Sequence, residues 1–288
     1  MANDLKNLHL AFIGCGVMGE SMIAGLLRKD LVDPNNISAS HPRESRRKEL
    51  ADRHGIAVFE HNAEASKAVI GKENSAVVLC IKPQRLGRVL ADLNGVLHLD
   101  QLVLSIIAGA TIEHLADDLG TAKIVRAMPN TPSQIGAGIT AWTCTEAVNT
   151  VERGHVREIL AALGKELFVE TENMIDMATS LSATGPTYIF MVMEALTDAG
   201  VHLGFSRDMA KELVQETMLG SVKFAMESHK HPAELRNMVT SPGGTSAEAI
   251  YQMEKGTLRT VLSKAVYAAY KRAVELGKKG STLPLCQA

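Results

Sequence analysis

Apolar runs and polar breaks alternate through roughly the first 170 residues in one style and through the remainder in another. "LHLAFI" (8–13), "SAVVLCI" (75–81), "LVLSII" (102–107) and "AKIVRAM" (122–128) are short, nearly unbroken apolar runs. Runs of that length without alternation predict strands buried on both faces of a parallel sheet. "ISASH" (37–41), "AGITAWTC" (137–144) and "KELFVE" (165–170) add three more strands. Helical spacing recurs between them, at "SMIAGLLRK" and over 43–53, 84–92, 111–118 and 149–164. From Asn173 onward strands give way to helices over about 173–200, 207–229 and 257–277, with a shorter one at 246–254. Gly185 and Pro186 are expected to bend or interrupt the first of these, because a proline ring clashes with the preceding turn.

The first strand runs straight into "GCGVMGE", which places Gly14, Gly16 and Gly19 in the GxGxxG positions ahead of a helix. The first glycine permits a tight turn, the second lets a pyrophosphate approach the backbone, and the third lets helix and strand pack closely. The pyrophosphate would lie over free N–H groups at the helix start, with Val17 and Met18 beside it. The fold class expected is therefore α/β: a Rossmann-like dinucleotide-binding domain at 1–170 and an all-α dimerisation and substrate domain at 171–288. In such a sheet the ligand lies beyond the carboxyl ends of the strands. Three polar breaks fall there: Gly14–Gly19, Lys82-Pro83-Gln84, and "MPNTPSQIG", which contains Asn130.

The second strand selects between cofactors. A site for NAD usually ends that strand with an acidic residue for the ribose 2′-OH; here Ser40 is followed by "HPRESRR". Arg43, Arg46 and Arg47 could hydrogen-bond a 2′-phosphate, so NADPH is preferred, with NADH possible and the charge diluted by Glu44 and Glu49. Lys82 and Pro83 are assigned loop shaping and cofactor contact rather than catalysis.

Composition narrows the remaining choices. A net charge of -2 over 288 residues argues against a nucleic-acid partner. Cys15, Cys80, Cys144 and Cys286 are widely spaced and fit a reduced, cytoplasmic protein without a metal site. His229 and His231 lack a third ligand and read as turn residues. No segment resembles a membrane span or a secretory signal. The helical region exposes many small apolar faces, including Ile189, Met193 and Leu196, which a second copy would bury, so a homodimer is expected.

One stretch does not reduce to packing. In "VTSPGGTSAEAI" (239–250) the chain leaves the helical state at Ser241-Pro242-Gly243-Gly244 and re-enters it at Thr245-Ser246. Thr245 as N-cap with Glu248 three residues on fits a capping box. Two adjacent glycines also allow neighbouring N–H groups to converge on a small anion such as a carboxylate.

"AFIGCGVMG", "IKPQ", "RAMPNTP", "ATGPTY" and "HPAELRNMVTSPGGTS" together resemble the Δ1-pyrroline-5-carboxylate reductases, in that family's order and over about residues 8–277. The resemblance implies reduction of 1-pyrroline-5-carboxylate to L-proline by NADPH or NADH. It also implies an obligate dimer, often assembled into larger rings, with an active site near the dimer interface. Ser241, Gly243, Gly244, Thr245 and Ser246 would then hold substrate. Gly14, Gly16, Val17, Met18, Gly19, Ser40, Arg43, Arg46, Lys82, Pro83 and Asn130 would hold cofactor. Ser246 stands where members usually carry a threonine whose hydroxyl meets the ring nitrogen, and Thr187 replaces a small residue. Serine keeps the hydroxyl, and its expected task is orientation rather than acid catalysis. Two other readings compete. A β-hydroxyacid dehydrogenase would need a lysine in the first long helix, but Lys211 lies in the next. A non-catalytic NADPH sensor would not need the second anion cradle.

Overall fold

The computed structural model describes residues 5–278, so Cys286 lies outside the described residues. In chain order the elements of the first part are β1 (His9–Ile13), α1 (Val17–Arg28), β2 (Ile37–Ser40), α2 (Glu44–His54), β3 (Ala57–Phe59), α3 (Asn62–Lys67), β4 (Ser75–Leu79) and α4 (Leu86–Leu93). They continue with β5 (Leu102–Ser105), α5 (Ile112–Leu119), β6 (Ile124–Met128), β7 (Gly138–Cys144), α6 (Thr150–Ala161) and β8 (Gly164–Phe168). One eight-stranded sheet results, in the order β3-β2-β1-β4-β5-β6-β7-β8. Every pairing is parallel except β6 with β7.

Strand alternation sends successive residues to opposite faces, and helices cover both. Leu10 and Phe12 of β1 pack with Ala76 and Val78 of β4 against Met22, Ile23 and Leu26 of α1 and Val156, Ile159 and Leu160 of α6. Ala11, Ile13, Val77 and Leu79 point the other way, onto Val89, Leu90 and Leu93 of α4 and Leu115 and Leu119 of α5. With both faces dry, an unbroken apolar run is the only strand sequence that fits. β3, α3 and the short helix after His231 were not expected from the sequence. "AVF" and "NAEASK" are too short to carry a period.

The remaining elements are α7 (Asn173–Ala178), a π-helical turn over Thr179–Ala183, α8 (Gly185–His202), α9 (Arg207–Ser228), α10 (Pro232–Met238), α11 (Thr245–Lys255) and α12 (Leu258–Leu276). The break expected at Gly185-Pro186 is present, with proline in the first turn of α8 where it is tolerated. His229 caps α9 with a φ of 55°, and His231 Nδ1 accepts from the Ala233 N–H at the start of α10, which fits their reading as turn residues.

Two compact units emerge: one runs to Thr184 and takes up the chain again from Ala269, and the other spans Gly185–Ala268. The division therefore falls beyond the expected 170/171 boundary. Ile175 of α7 is buried with Met128, Ala141 and Val169. Arg126 on β6, only 1% exposed, pairs with Glu172 at 2.8 Å and Asp176 at 2.6 Å. The last turns of α12 also belong to this unit: Tyr270 donates to Asn173 at 3.1 Å, and Leu276 packs on Gly109. In the helical unit, Ala210 is the only fully buried residue among the described ones. Phe190, Met191, Leu213, Val222, Phe224 and Met226 are exposed there.

Candidate functional site

The sheet reverses its direction of growth between β1 and β4, and a cleft of about 820 Å³ opens beyond their carboxyl ends. This is the switch point at which doubly wound sheets receive ligands. Gly14, Gly16, Val17, Met18, Lys82 and Pro129 line it, so all three predicted polar breaks reach one cavity. Gly14 has a φ of +75°, and a Cβ there would meet Ile81 Cγ2 at 2.0 Å. At Gly19 a Cβ would lie 2.6 Å from Cys80 Sγ and 3.3 Å from Cys15 Sγ, so this glycine seats α1 on the sheet. Gly16 differs: a Cβ there would meet nothing closer than the Gly14 carbonyl at 3.9 Å. Space beside the backbone is what a pyrophosphate approaching the N–H groups of a helix start requires.

Ser40 does not face the cleft. It is fully buried, its hydroxyl accepts from the Gly14 N–H at 3.1 Å and donates to Asn62 Oδ1 at 2.8 Å, and its carbonyl accepts from the Cys15 N–H at 2.9 Å. Its position makes it a brace for the glycine loop. Asn130 is half-buried and spends Oδ1 on the Ile139 N–H, at 3.0 Å. Pro83 opens a 3-10 turn for which exposed Lys82 is the N-cap.

The three arginines after β2 divide. Arg46 is bound by Glu20 and by Glu49, the latter at 2.6 Å. Arg47 turns to Glu60 and to the carbonyls of His41 and Pro42. Arg43 is exposed and lines the cleft, and no bond engages its guanidinium among the described residues. Lys82 and Arg85, which also line the cleft, are likewise without an ion pair among those residues. Burial alone would raise the Glu20 carboxyl, but hydrogen bonds from Arg46, His54 and Arg53 outweigh it and hold the group below the usual carboxylate range. Burial and the surrounding guanidiniums push His41 down, and its Nδ1 accepts from the Arg43 N–H at 3.2 Å. Burial drives the thiol of Cys15 up to about 12, and raises Cys80 strongly as well.

Glu20, His41 and Arg85 also line this cleft and were not singled out from sequence. His41 and Glu20 directly flank predicted motifs, which is the one signal that could have flagged them.

The bend before α11 is a separate site in the helical unit. Ser241-Pro242-Gly243-Gly244 forms a turn closed by the Gly244 N–H to the Ser241 carbonyl at 3.1 Å, with Gly243 at a φ of +71°. Proline then glycine with positive φ is the signature of a type II turn. The expected capping box is not formed. Gly244 is the N-cap, Thr245 is the first helical residue, and Glu248 accepts instead from Gln252 at 3.0 Å. With no side chain capping the helix, the N–H groups of Thr245 and Ser246 have no acceptor among the described residues. Among those residues no cluster suits a metal ion, and no helix is long and apolar enough to cross a membrane.

Two family models match. One described as pyrroline-5-carboxylate reductase dimerisation covers residues 172–276, and one described as NADP oxidoreductase, coenzyme F420-dependent, covers 9–109. The fold and the cleft thus define a dinucleotide-dependent oxidoreductase with a helical dimerisation region. Pyrroline-5-carboxylate reductase of Synechocystis sp. is 37% identical over 95% of this chain and 100% of its own length. The structure of the Coxiella burnetii reductase superposes with a TM-score of 0.83 at 35% identity, covering 94% of this chain and 99% of that one. The Plasmodium falciparum reductase, crystallised with NADP bound, gives 0.85 at 29% identity over 95% and 100%. The chain belongs to the pyrroline-5-carboxylate reductase family, and its activity is the NAD(P)H-dependent reduction of 1-pyrroline-5-carboxylate.

Proposed function

We propose that the cleft beyond β1 and β4 holds NADPH in preference to NADH, and that the bend at 241–246 grips the substrate carboxylate. The observation that carries the first half is the open space beside Gly16 together with the uncompensated cations Arg43, Lys82 and Arg85 on the rim. The NADP in the Plasmodium relative supports it. Bound there, the nicotinamide supplies a hydride to the C=N carbon. The protein's own contribution is geometric: the imine nitrogen can already carry a proton, so neither a metal nor a strong acid is required of the side chains. The Thr245 and Ser246 N–H groups, at the positive end of α11, would fix the carboxylate. Ser246 is half-buried, and its hydroxyl would orient the ring nitrogen. Ser241, Gly243 and Gly244 shape the turn that presents these donors.

The helical unit would bury its exposed apolar faces against a second copy, since one buried alanine is no core. Free thiols at Cys15, Cys80 and Cys144 suit a reducing compartment such as the cytoplasm. The test is steady-state NADPH oxidation with 1-pyrroline-5-carboxylate, repeated with NADH, on protein sized by light scattering. The expected result is turnover by a dimer or a multiple of it, with kcat/KM higher for NADPH. A fully active monomer, or an equal or reversed cofactor ratio, would refute the corresponding part.

A further inference from the structure

Four charged side chains that line the cleft beyond β1 and β4 close into a ring. Glu20, in the first turn of α1, accepts from Arg46 Nη2 and, at 2.6 Å, from Arg53 Nη1. Glu49 on α2 takes the other side of each guanidinium, Arg46 Nη1 at 2.6 Å and Arg53 Nη2 at 2.8 Å. The two carboxylates and two guanidiniums cancel in charge, and His54 Nε2 lies 3.1 Å from Glu20. All four ring members line the cleft. Arg46 itself is only 14% exposed at its side chain, and both of its terminal nitrogens are already committed to carboxylates.

We propose that Glu20 is a specificity-determining residue: it withholds Arg46 and Arg53 from a ribose 2′-phosphate and leaves that group to Arg43. This rests on the reading that the cleft holds NADPH. A phosphate arriving beside α2 meets a ring with no net charge, a nearby carboxylate that repels it, and one unengaged guanidinium. Discrimination between NADPH and NADH is accordingly weaker than three arginines in sequence would provide. Glu20→Gln keeps the shape of the side chain but leaves the ring one positive charge in excess and frees part of Arg46.

Fluorescence titration of the full-length protein with NADPH and with NADH, at one fixed ionic strength, tests this. Both cofactors share the pyrophosphate, so their affinity ratio isolates the 2′-phosphate. In the parent protein Arg43→Gln should bring the ratio close to one. Glu20→Gln should raise the ratio by roughly threefold to tenfold, the scale of one partly screened charge-assisted hydrogen bond. Combined with Arg43→Gln, it should restore part of the lost preference. Glu49→Gln removes the other carboxylate of the ring, should move the ratio the same way, and serves if Glu20→Gln fails to fold. An unchanged or smaller ratio in these carboxamide variants overturns the proposal. A parent ratio of one or below would overturn the cofactor assignment beneath it, which is a separate outcome.

Discussion

Replacing Gly14 by alanine strikes the loop and the sheet at once. The backbone there has a φ of +75°, and a Cβ would stand 2.0 Å from Ile81 Cγ2, 3.3 Å from its Cβ and 3.6 Å from its Cα. Left-handed backbone costs an alanine about 1–2 kcal/mol, and forcing a methyl into filled space about 1–3 kcal/mol. The sum, ~2–5 kcal/mol, is a large share of the roughly 5–15 kcal/mol that holds a domain folded. If the loop relieves the contact by moving, the Gly14 N–H leaves Ser40 Oγ and the donors around Gly16 lose their aim. Urea unfolding at one fixed chain concentration measures the first effect, and NADPH titration the second, with affinity expected to fall by about tenfold or more for one lost charged hydrogen bond. The partner change Ile81→Ala removes Cγ2 but not the backbone strain. A double-mutant cycle should therefore show Gly14→Ala costing about 1–3 kcal/mol less in that background. Strictly additive costs would show that Ile81 does not oppose the methyl, and a Gly14→Ala protein as stable and as tight-binding as the parent would refute the whole account.

Other expectations are equally direct. Arg126→Met leaves Glu172 and Asp176 without their shared cation and should destabilise by about 3–5 kcal/mol in the same urea experiment; a loss below 1 kcal/mol would mean the carboxylates find water at little cost. Ser246→Ala should lower kcat/KM for the imine while leaving NADPH affinity intact, and unchanged kcat/KM would end its assigned role. The Glu20 carboxyl is depressed in the folded state, so its stabilisation is present above the unfolded carboxylate pKa, ~4.3, and is lost as pH falls through the lower folded value. Glu20→Gln should thus flatten the acid limb of a stability profile below about pH 5, and an identical limb would count against the network. Cys15 and Cys80, buried and shifted upward, should resist alkylation at pH 8 until the protein is unfolded, with half-buried Cys144 modified before either; rapid labelling of Cys80 in the native protein would contradict its placement.

Most of the sheet could be read along the chain because burial on both faces imposes one kind of sequence, as at Ala76–Leu79. The same reasoning fails for Ala57–Phe59, an edge strand of three residues with partial burial. Gly14 and Gly19 announced the cleft because the local backbone and packing demand them, whereas at Gly16 the space is left open for a ligand rather than filled by the protein. Ser40 and the arginines were placed in the right neighbourhood, but the direction each side chain takes is set by partners distant in sequence. Ser40 turns inward to Asn62, and Arg46 turns to Glu20, which lies on another helix. The capping box at Thr245 misread which residue ends the turn: with Gly243 at positive φ, Gly244 takes the N-cap position and Thr245 begins the helix. The buried pairing of Arg126 with Glu172 and Asp176 left no periodic trace, because it links single residues of β6 and the region of α7.

The return of residues 269–278 to the unit that contains the sheet has a consequence for biosynthesis. On the ribosome the sheet-bearing unit is synthesised almost entirely before the helices begin, yet the segment that carries Tyr270 to Asn173 and Leu276 to Gly109 emerges only after all of them. Its contacts at α7 and at the loop before α5 must wait for that late segment. Final closure of the nucleotide half is therefore timed by completion of the other half.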